Sequence, residues 1–167
     1  KPLIVGPKGI KHNLLPPSEG GLGGILPGSA ASLIYTLPKQ QKPTSRPKVA
    51  VIILSLNGAK LLNDLFASFE IYNTYEPYEL VVVDHGSEDN SIEVCEEWAK
   101  KLPIKLLARG DNYSFSNSNN VASKESDAPI LLFMNNDLTL CQDIIGGMVE
   151  LIQNDENLGM VGAKLLD

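Results

Sequence analysis

The chain has 167 residues, of which 43% are hydrophobic and 20% charged, a length and balance that suit one compact domain with a sizeable core. Its net charge of −6 is unevenly divided: residues 1–48 carry seven Lys or Arg and one Glu, giving +6, whereas residues 49–167 carry seven Lys or Arg and nineteen Asp or Glu, giving −12. A module at −12 is a poor candidate for nucleic-acid binding or for unaided phosphate binding, so any phosphate-bearing ligand calls for a divalent cation to reconcile the charges.

Residues 1–48 are rich in Pro and Gly and show no sustained period, which reads as a basic arm or linker. Nothing at the start resembles a signal peptide, and a first residue Lys1 in place of Met suggests an excised piece. The longest uncharged run, from Gly20 to Pro38, contains Pro27 and clustered glycines that break any membrane-spanning helix. The apolar patches Leu22–Leu26 and Ala30–Leu37 are expected to pack on the main body or on a second copy of the chain.

From Val49 onward strands and helices alternate. Val49–Ser55 has the length and composition of a buried strand, and Leu61, Leu62, Leu65, Phe66 and Phe69 follow a helical period. Tyr78–Asp84 is a second strand. A helix follows, with Ser87 as the expected N-cap, Lys100 and Lys101 in its last turn, and a buried stripe of Ile92, Cys95, Trp98, Ala99 and Leu102. Ile104–Ala108 is a third strand, Ser114–Glu125 a helix of poor propensity, and Pro129–Met134 a fourth strand. A last helix carries Ile144, Ile145, Met148, Val149 and Ile152 on one face, and Leu158–Ala163 is expected to be a fifth strand. Cys95 and Cys141 lack metal-ligand spacing and are expected to be reduced, buried thiols of a cytosolic protein. This alternation is the signature of an α/β fold, an open and mostly parallel sheet with helices on both faces.

In such sheets ligands bind beyond the carboxyl ends of the strands, so the informative residues are Ser55-Leu56-Asn57, Asp84-His85-Gly86-Ser87, Arg109-Gly110-Asp111-Asn112 and Asn135-Asn136-Asp137. Asp84, followed by glycine and serine, either caps its turn or accepts hydrogen bonds from a base or ribose. Asp137, after a fully apolar strand, either caps a helix or holds a divalent cation across a diphosphate. Between Asn112 and Asn120, seven of nine residues are Ser or Asn, which disfavours a helix unless one face meets a polar ligand, with its N-terminus favouring an anion.

The order and spacing of these pieces resemble the inverting family 2 glycosyltransferases of GT-A, Rossmann-like fold, over residues 49–167. The elements are the strand ending Ser-Leu-Asn, then Val-Val-Asp-His-Gly-Ser-Glu-Asp, then Asp-Asn-Tyr-Ser-Phe-Ser with Asn120, then Phe-Met-Asn-Asn-Asp. The resemblance implies a donor site for a UDP- or dTDP-linked sugar formed by Ser55, Asn57, Asp84, Gly86, Arg109, Asn112, Asn120 and Asn135. It implies Mn²⁺ or Mg²⁺ at Asp137, and transfer to a saccharide or lipid-linked acceptor in polysaccharide biosynthesis. The location implied is cytoplasmic or peripheral at the inner face of the membrane. Asn135 replaces an acidic residue of the family's Asp-x-Asp motif, His85 stands where Asp or Asn is usual, and Ser114 where Gly is frequent. The family's general base lies well past that motif, so it is expected beyond Asp167, with no catalytic residue in this chain.

Two enzyme classes fit less well. A nucleotidyltransferase needs a longer Gly-rich phosphate loop than Ser55-Leu56-Asn57-Gly58, and a dinucleotide-binding dehydrogenase needs G-x-G-x-x-G after the first strand, whereas the Gly-rich stretch at 20–28 precedes it. The remaining rival is a non-catalytic nucleotide-sugar-binding or scaffold module with a degenerate transferase fold.

Overall fold

The computed structural model describes the backbone of Ile4–Pro7 and residues 46–164. The elements in chain order are β1 (Ile4–Pro7), β2 (Val49–Ser55), α1 (Ala59–Tyr72), β3 (Tyr78–Asp84), α2 (Ser91–Trp98), β4 (Ile104–Ala108), α3 (Phe115–Lys124), β5 (Ile130–Asn135) and α4 (Ile145–Asn154). The strands form one sheet in the order β1-β5-β2-β3-β4. β5, β2, β3 and β4 are parallel, and β1 runs antiparallel to β5 with Ile4 opposite Phe133 and Pro7 opposite Ile130.

The two apolar faces of β2 and β3 explain the layering. Val49, Val51, Ile53, Leu80 and Val82 point to one side, where Leu62, Leu65, Phe66 and Phe69 of α1, Cys95 of α2 and Ile145, Met148 and Val149 of α4 close the larger core. Ala50, Ile52, Val81 and Val83 point to the other side and meet Ala122 of α3. Strands buried on both faces read as continuous apolar runs rather than alternating ones. Each fully buried Leu, Ile or Phe contributes about 1.5–3 kcal/mol relative to an exposed side chain. The expected mostly parallel α/β sheet, with helices on both faces, is therefore the architecture observed.

Several local expectations are corrected. β1, which the arm's composition concealed, adds an antiparallel edge strand beside β5. The apolar patches at 22–26 and 30–37 lie outside the described residues. Leu158–Ala163 is not a strand: α4 is followed by a turn in which Leu158 N–H donates to Asp155 O at 3.0 Å, and only Val161 makes an isolated bridge. Gly159 and Gly162 interrupt this stretch and Met160 is 58% exposed, while Val161 and Ala163 pack against the larger core without forming a ladder.

The helix stripes also need adjustment. Leu61 and Ala99 are exposed, because the buried stripe of α1 is carried by Leu62, Leu65, Phe66 and Phe69 and α2 ends before Ala99. Cys95 is buried as expected, but Cys141 is exposed on the loop before α4. α3 forms in spite of its composition. Ser114 caps it by accepting from Asn117 N–H at 3.3 Å, and Ser118, Asn119 and Ala122 are buried against the sheet, so packing overrides propensity.

Candidate functional site

The strand order reverses at β2: the chain proceeds from β2 to β3 to β4 on one side, then crosses to place β5 on the other. At such a switch point the loops leaving neighbouring strands diverge and open a crevice at their carboxyl ends. A cavity of about 510 Å³ lies here, within the roughly 300–1,000 Å³ range of small-molecule sites. Its lining combines the apolar Leu54, Phe115, Phe133 and Met134 with the polar Ser116, Asn119 and Asn120 of α3 and with Asn135, Asn136 and Asp137 at the end of β5.

The loops around this crevice are tied to one another. Asn136 donates to Ser55 Oγ at 3.1 Å, joining the exit of β5 to that of β2. A Cβ on Gly58 would lie 2.6 Å from both Asn136 Nδ2 and Ser55 Oγ, so glycine is required there for the two side chains to meet. Asn57, in the left-handed region at φ 49°, donates its N–H to Ser87 Oγ at 2.8 Å and accepts from Glu88 N–H at 2.8 Å. The loop after β3 and the first residue of α2 also cap α1 from outside: Ser91 Oγ accepts from Gly58 N–H at 3.1 Å, and Asp89 Oδ2 from Ala59 N–H at 3.0 Å.

The expected N-cap of α2 is thereby corrected. The helix begins at Ser91, and Ser87 belongs to the preceding turn, where its hydroxyl donates to Asp84 Oδ2. Asp89 takes over the capping work, accepting from Ser91 N–H at 3.0 Å and from the Ser91 hydroxyl. These bonds, led by the Ser91 hydroxyl and then the Ala59 N–H, hold the Asp89 carboxyl below its ordinary range.

Asp84 is 2% exposed. Its Oδ1 accepts from Gly86 N–H at 3.0 Å and Ser87 N–H at 2.9 Å, so the carboxylate organises its own turn. Gly86 takes φ 81° and packs on the loop after β4, where a Cβ would come within 3.0 Å of the Gly110 carbonyl carbon. His85 lies between these loops. Its Nδ1 is 3.1 Å from Asn112 Oδ1, while Nε2 is buried with no hydrogen-bond partner among the described residues.

Arg109 is anchored at both ends. Its N–H donates to Asp84 O at 2.9 Å, and its guanidinium donates to Asn117 Oδ1 at 2.8 Å and Ser118 Oγ at 3.2 Å while covering the Tyr113 ring at 3.7 Å. The structure thus sorts the sequence-derived site residues into two layers. Asn120, Asn135 and Asp137 line the cavity, while Ser55, Asn57, Asp84, Gly86, Arg109 and Asn112 build and brace the loops around it. Gly58, Asn119 and Asn136 had no donor or metal role assigned by sequence, although Gly58 follows the Ser-Leu-Asn element directly and Asn136 is the middle residue of Asn135-Asn136-Asp137.

Among the described residues no group of three or more His, Cys, Asp or Glu side chains is placed to hold a metal. Asp137 is an exposed carboxylate at the cavity rim, beside the amides of Asn135 and Asn136. One carboxylate with neutral oxygen donors fits a hard cation such as Mg²⁺ or Mn²⁺ only when a ligand's own phosphates complete the coordination.

The family model described as Glycosyl transferase family 2 matches residues 50–165. A dolichol-phosphate mannosyltransferase of Pyrococcus furiosus is 29% identical over 113 residues, covering 68% of this chain and 32% of its own length. The uncharacterized glycosyltransferase YfnE of Bacillus subtilis is 26% identical over 115 residues, or 69% of this chain and 29% of that protein. An O-antigen biosynthesis protein of Myxococcus xanthus, RfbC, is 29% identical over 122 residues, 72% of this chain and 9% of its own.

Among solved structures, S. aureus TarS 1-349 superposes with a TM-score of 0.58 at 24% identity, over 64% of this chain and 32% of its own. The mannosyltransferase PcManGT of Pyrobaculum calidifontis, in complex with GDP-Man and Mn²⁺, does so with 0.58 at 22% identity, over 67% and 33%. The chain therefore spans about a third or less of the proteins it matches, and the structural likenesses show a shared GT-A fold. With a family match extending over well more than half of its length, this chain belongs to glycosyl transferase family 2.

Proposed function

We propose that this chain holds the nucleoside-diphosphate sugar in a glycosyltransferase that acts with inversion, and that its edge of four strand-end loops is the donor site. The observation that carries this reading is the cavity at the β2/β5 switch point, walled by Asn120 and Asn135 and rimmed by Asp137. Three of the residues that the family resemblance assigns to donor and metal meet there, although they are distant in sequence.

In this reading a hydroxyl of a saccharide or lipid-linked acceptor displaces the nucleoside diphosphate at the anomeric carbon. The residues of this chain bind and orient the departing group. Asp84, Ser87 and Asn57 keep the two base-side loops in register, and Asn120 and Asn135 offer amide donors and acceptors to the donor's hydroxyls and phosphates. Asp137 would hold a divalent cation, which when bound neutralises charge on the diphosphate. The acceptor class is in keeping with relatives named for dolichol-phosphate and O-antigen chemistry. Polysaccharide biosynthesis at the cytoplasmic face of a membrane belongs to the same proposal. Among the described residues no helix is long and apolar enough to cross a membrane.

The test is calorimetric titration of the chain with UDP, dTDP and GDP in the presence of Mn²⁺. Saturable binding of at least one, weakened by Asn120→Ala without loss of the fold, is the expected result. A folded chain that binds none of them contradicts the proposal.

A further inference from the structure

A second cavity, of about 360 Å³, lies between the segments that lead into β2 and β3 and one side of α4. Arg46 and Tyr75 line it from positions just before the two strands, so it sits at the edge of the sheet away from the switch-point crevice. Strands of seven residues separate the two by roughly 20 Å. The α4 side is Gly146, Val149, Glu150 and Gln153, spaced as one helix face.

The walls are held in place by hydrogen bonds. Tyr75, 2% exposed, donates its hydroxyl to Pro47 O at 2.6 Å, which fixes the segment carrying Arg46. Thr74 donates to Asp143 Oδ2 at 2.5 Å, and Asp143 Oδ1 accepts from the N–H groups of Ile145 and Gly146 at 3.1 and 3.3 Å, so the turn before β3 is tied to the start of α4. The Arg46 guanidinium stands 5.4 Å from the centre of the Tyr75 ring. Arg46, Glu150 and Gln153 make no side-chain hydrogen bond or ion pair among the described residues, so three polar lining groups are uncommitted.

These three groups select a ligand by their chemistry. The guanidinium and the carboxylate cancel in charge, so an anion that gains Arg46 meets Glu150, and a cation meets the reverse. All three side chains end in planar groups whose paired donors or acceptors can meet adjacent hydroxyls two at a time. A neutral, hydroxyl-rich ligand uses every one of them. We propose that this cavity is a second saccharide site, which takes a segment of a neutral glycan apart from the strand-end crevice. That the glycan belongs to the acceptor or product rests on the function proposed above; the binding itself does not.

The test is NMR titration of the chain with maltotetraose, mannotetraose and cellotetraose, and separately with UDP and Mn²⁺, reading the backbone amides. At least one oligosaccharide should shift the amides of Gly146, Val149 and Gln153 saturably and leave those of Asn120 and Asn135 in place. Arg46→Ala and Glu150→Ala, both at exposed positions outside the strand-end crevice, should each weaken that binding about ten-fold, the effect of one lost charged hydrogen bond, and leave UDP binding unchanged. No shift at these amides with any of the three, equal binding by the variants, or a response to inorganic phosphate in place of saccharide overturns the inference. A parent chain that shows the saccharide shifts but does not bind UDP counts against the donor-site reading alone, so the two failures are distinct.

Discussion

Asn136 and Ser55 are 81 positions apart and meet at 3.1 Å, the amide of one donating to the hydroxyl of the other across the point where the strand order reverses. Gly58 sits against both. The pair fixes how far the β2 and β5 loops diverge, and therefore the width of the cavity between them. Gly58→Ala should push the two side chains apart and cost about 1–3 kcal/mol of stability, as overpacking does. Asn136→Ala, which only removes the bond, should cost about 1 kcal/mol. Urea denaturation of both variants measures this order, and a Gly58→Ala chain as stable as the parent would show that the contact is not constrained.

Asp84→Asn tests the turn that Asp84 organises. The carboxylate accepts two backbone N–H bonds and a hydroxyl bond while 2% exposed, and an amide replaces one acceptor oxygen by a donor facing donors. A loss of roughly 1–3 kcal/mol of stability is expected, the worth of charge-assisted bonds. Nucleotide affinity should fall with it, because the loops after β2 and β3 share Ser87. Unchanged stability with lost affinity would instead make Asp84 a direct ligand contact.

The family motifs were legible because each is a strand end, and continuous apolar runs such as Val49–Ile53 and Leu80–Val83 announce strands buried on both faces. The helix after Gly86 was placed too early because Ser87 and Asp89 are both acceptable caps. Only the tertiary bonds from Asn57 and Ala59 decide between them. β1 was not legible, since four residues ending in proline gain their strand character from the free edge of β5. Leu158–Ala163 had the opposite fate: apolar residues without a ladder to join.

Asp89 makes stability depend on acid in a defined direction. Its folded carboxyl lies below the ordinary value of 3.8, held there by the Ser91 hydroxyl and the Ala59 N–H. A lowered folded value means that the contribution is fully present above the unfolded value and is lost as pH falls through the folded one. The difference in urea midpoint between the parent and Asp89→Asn should therefore be constant near neutrality and shrink below pH 3.8. A difference that grows on acidification would contradict this assignment.

The two thiols should differ in reactivity. Cys95 is 1% exposed, and burial pushes its thiol up to about 12, whereas Cys141 is exposed. A thiol-titrating reagent at pH 8 should modify Cys141 rapidly in the folded chain and Cys95 only on unfolding. Equal rates at both would mean that the core under α2 opens readily.

The central claim is that a cavity with one carboxylate at its rim binds a nucleoside diphosphate by way of a divalent cation. A module of −12 opposes a bare diphosphate, and Arg109 is already engaged. The most direct measurement is titration of UDP and dTDP into the parent and into Asp137→Ala, each with Mn²⁺ and with EDTA, with the fold monitored by circular dichroism. Binding that requires Mn²⁺ in the parent and is lost in the folded variant is the predicted result; equal affinity under all four conditions would contradict it.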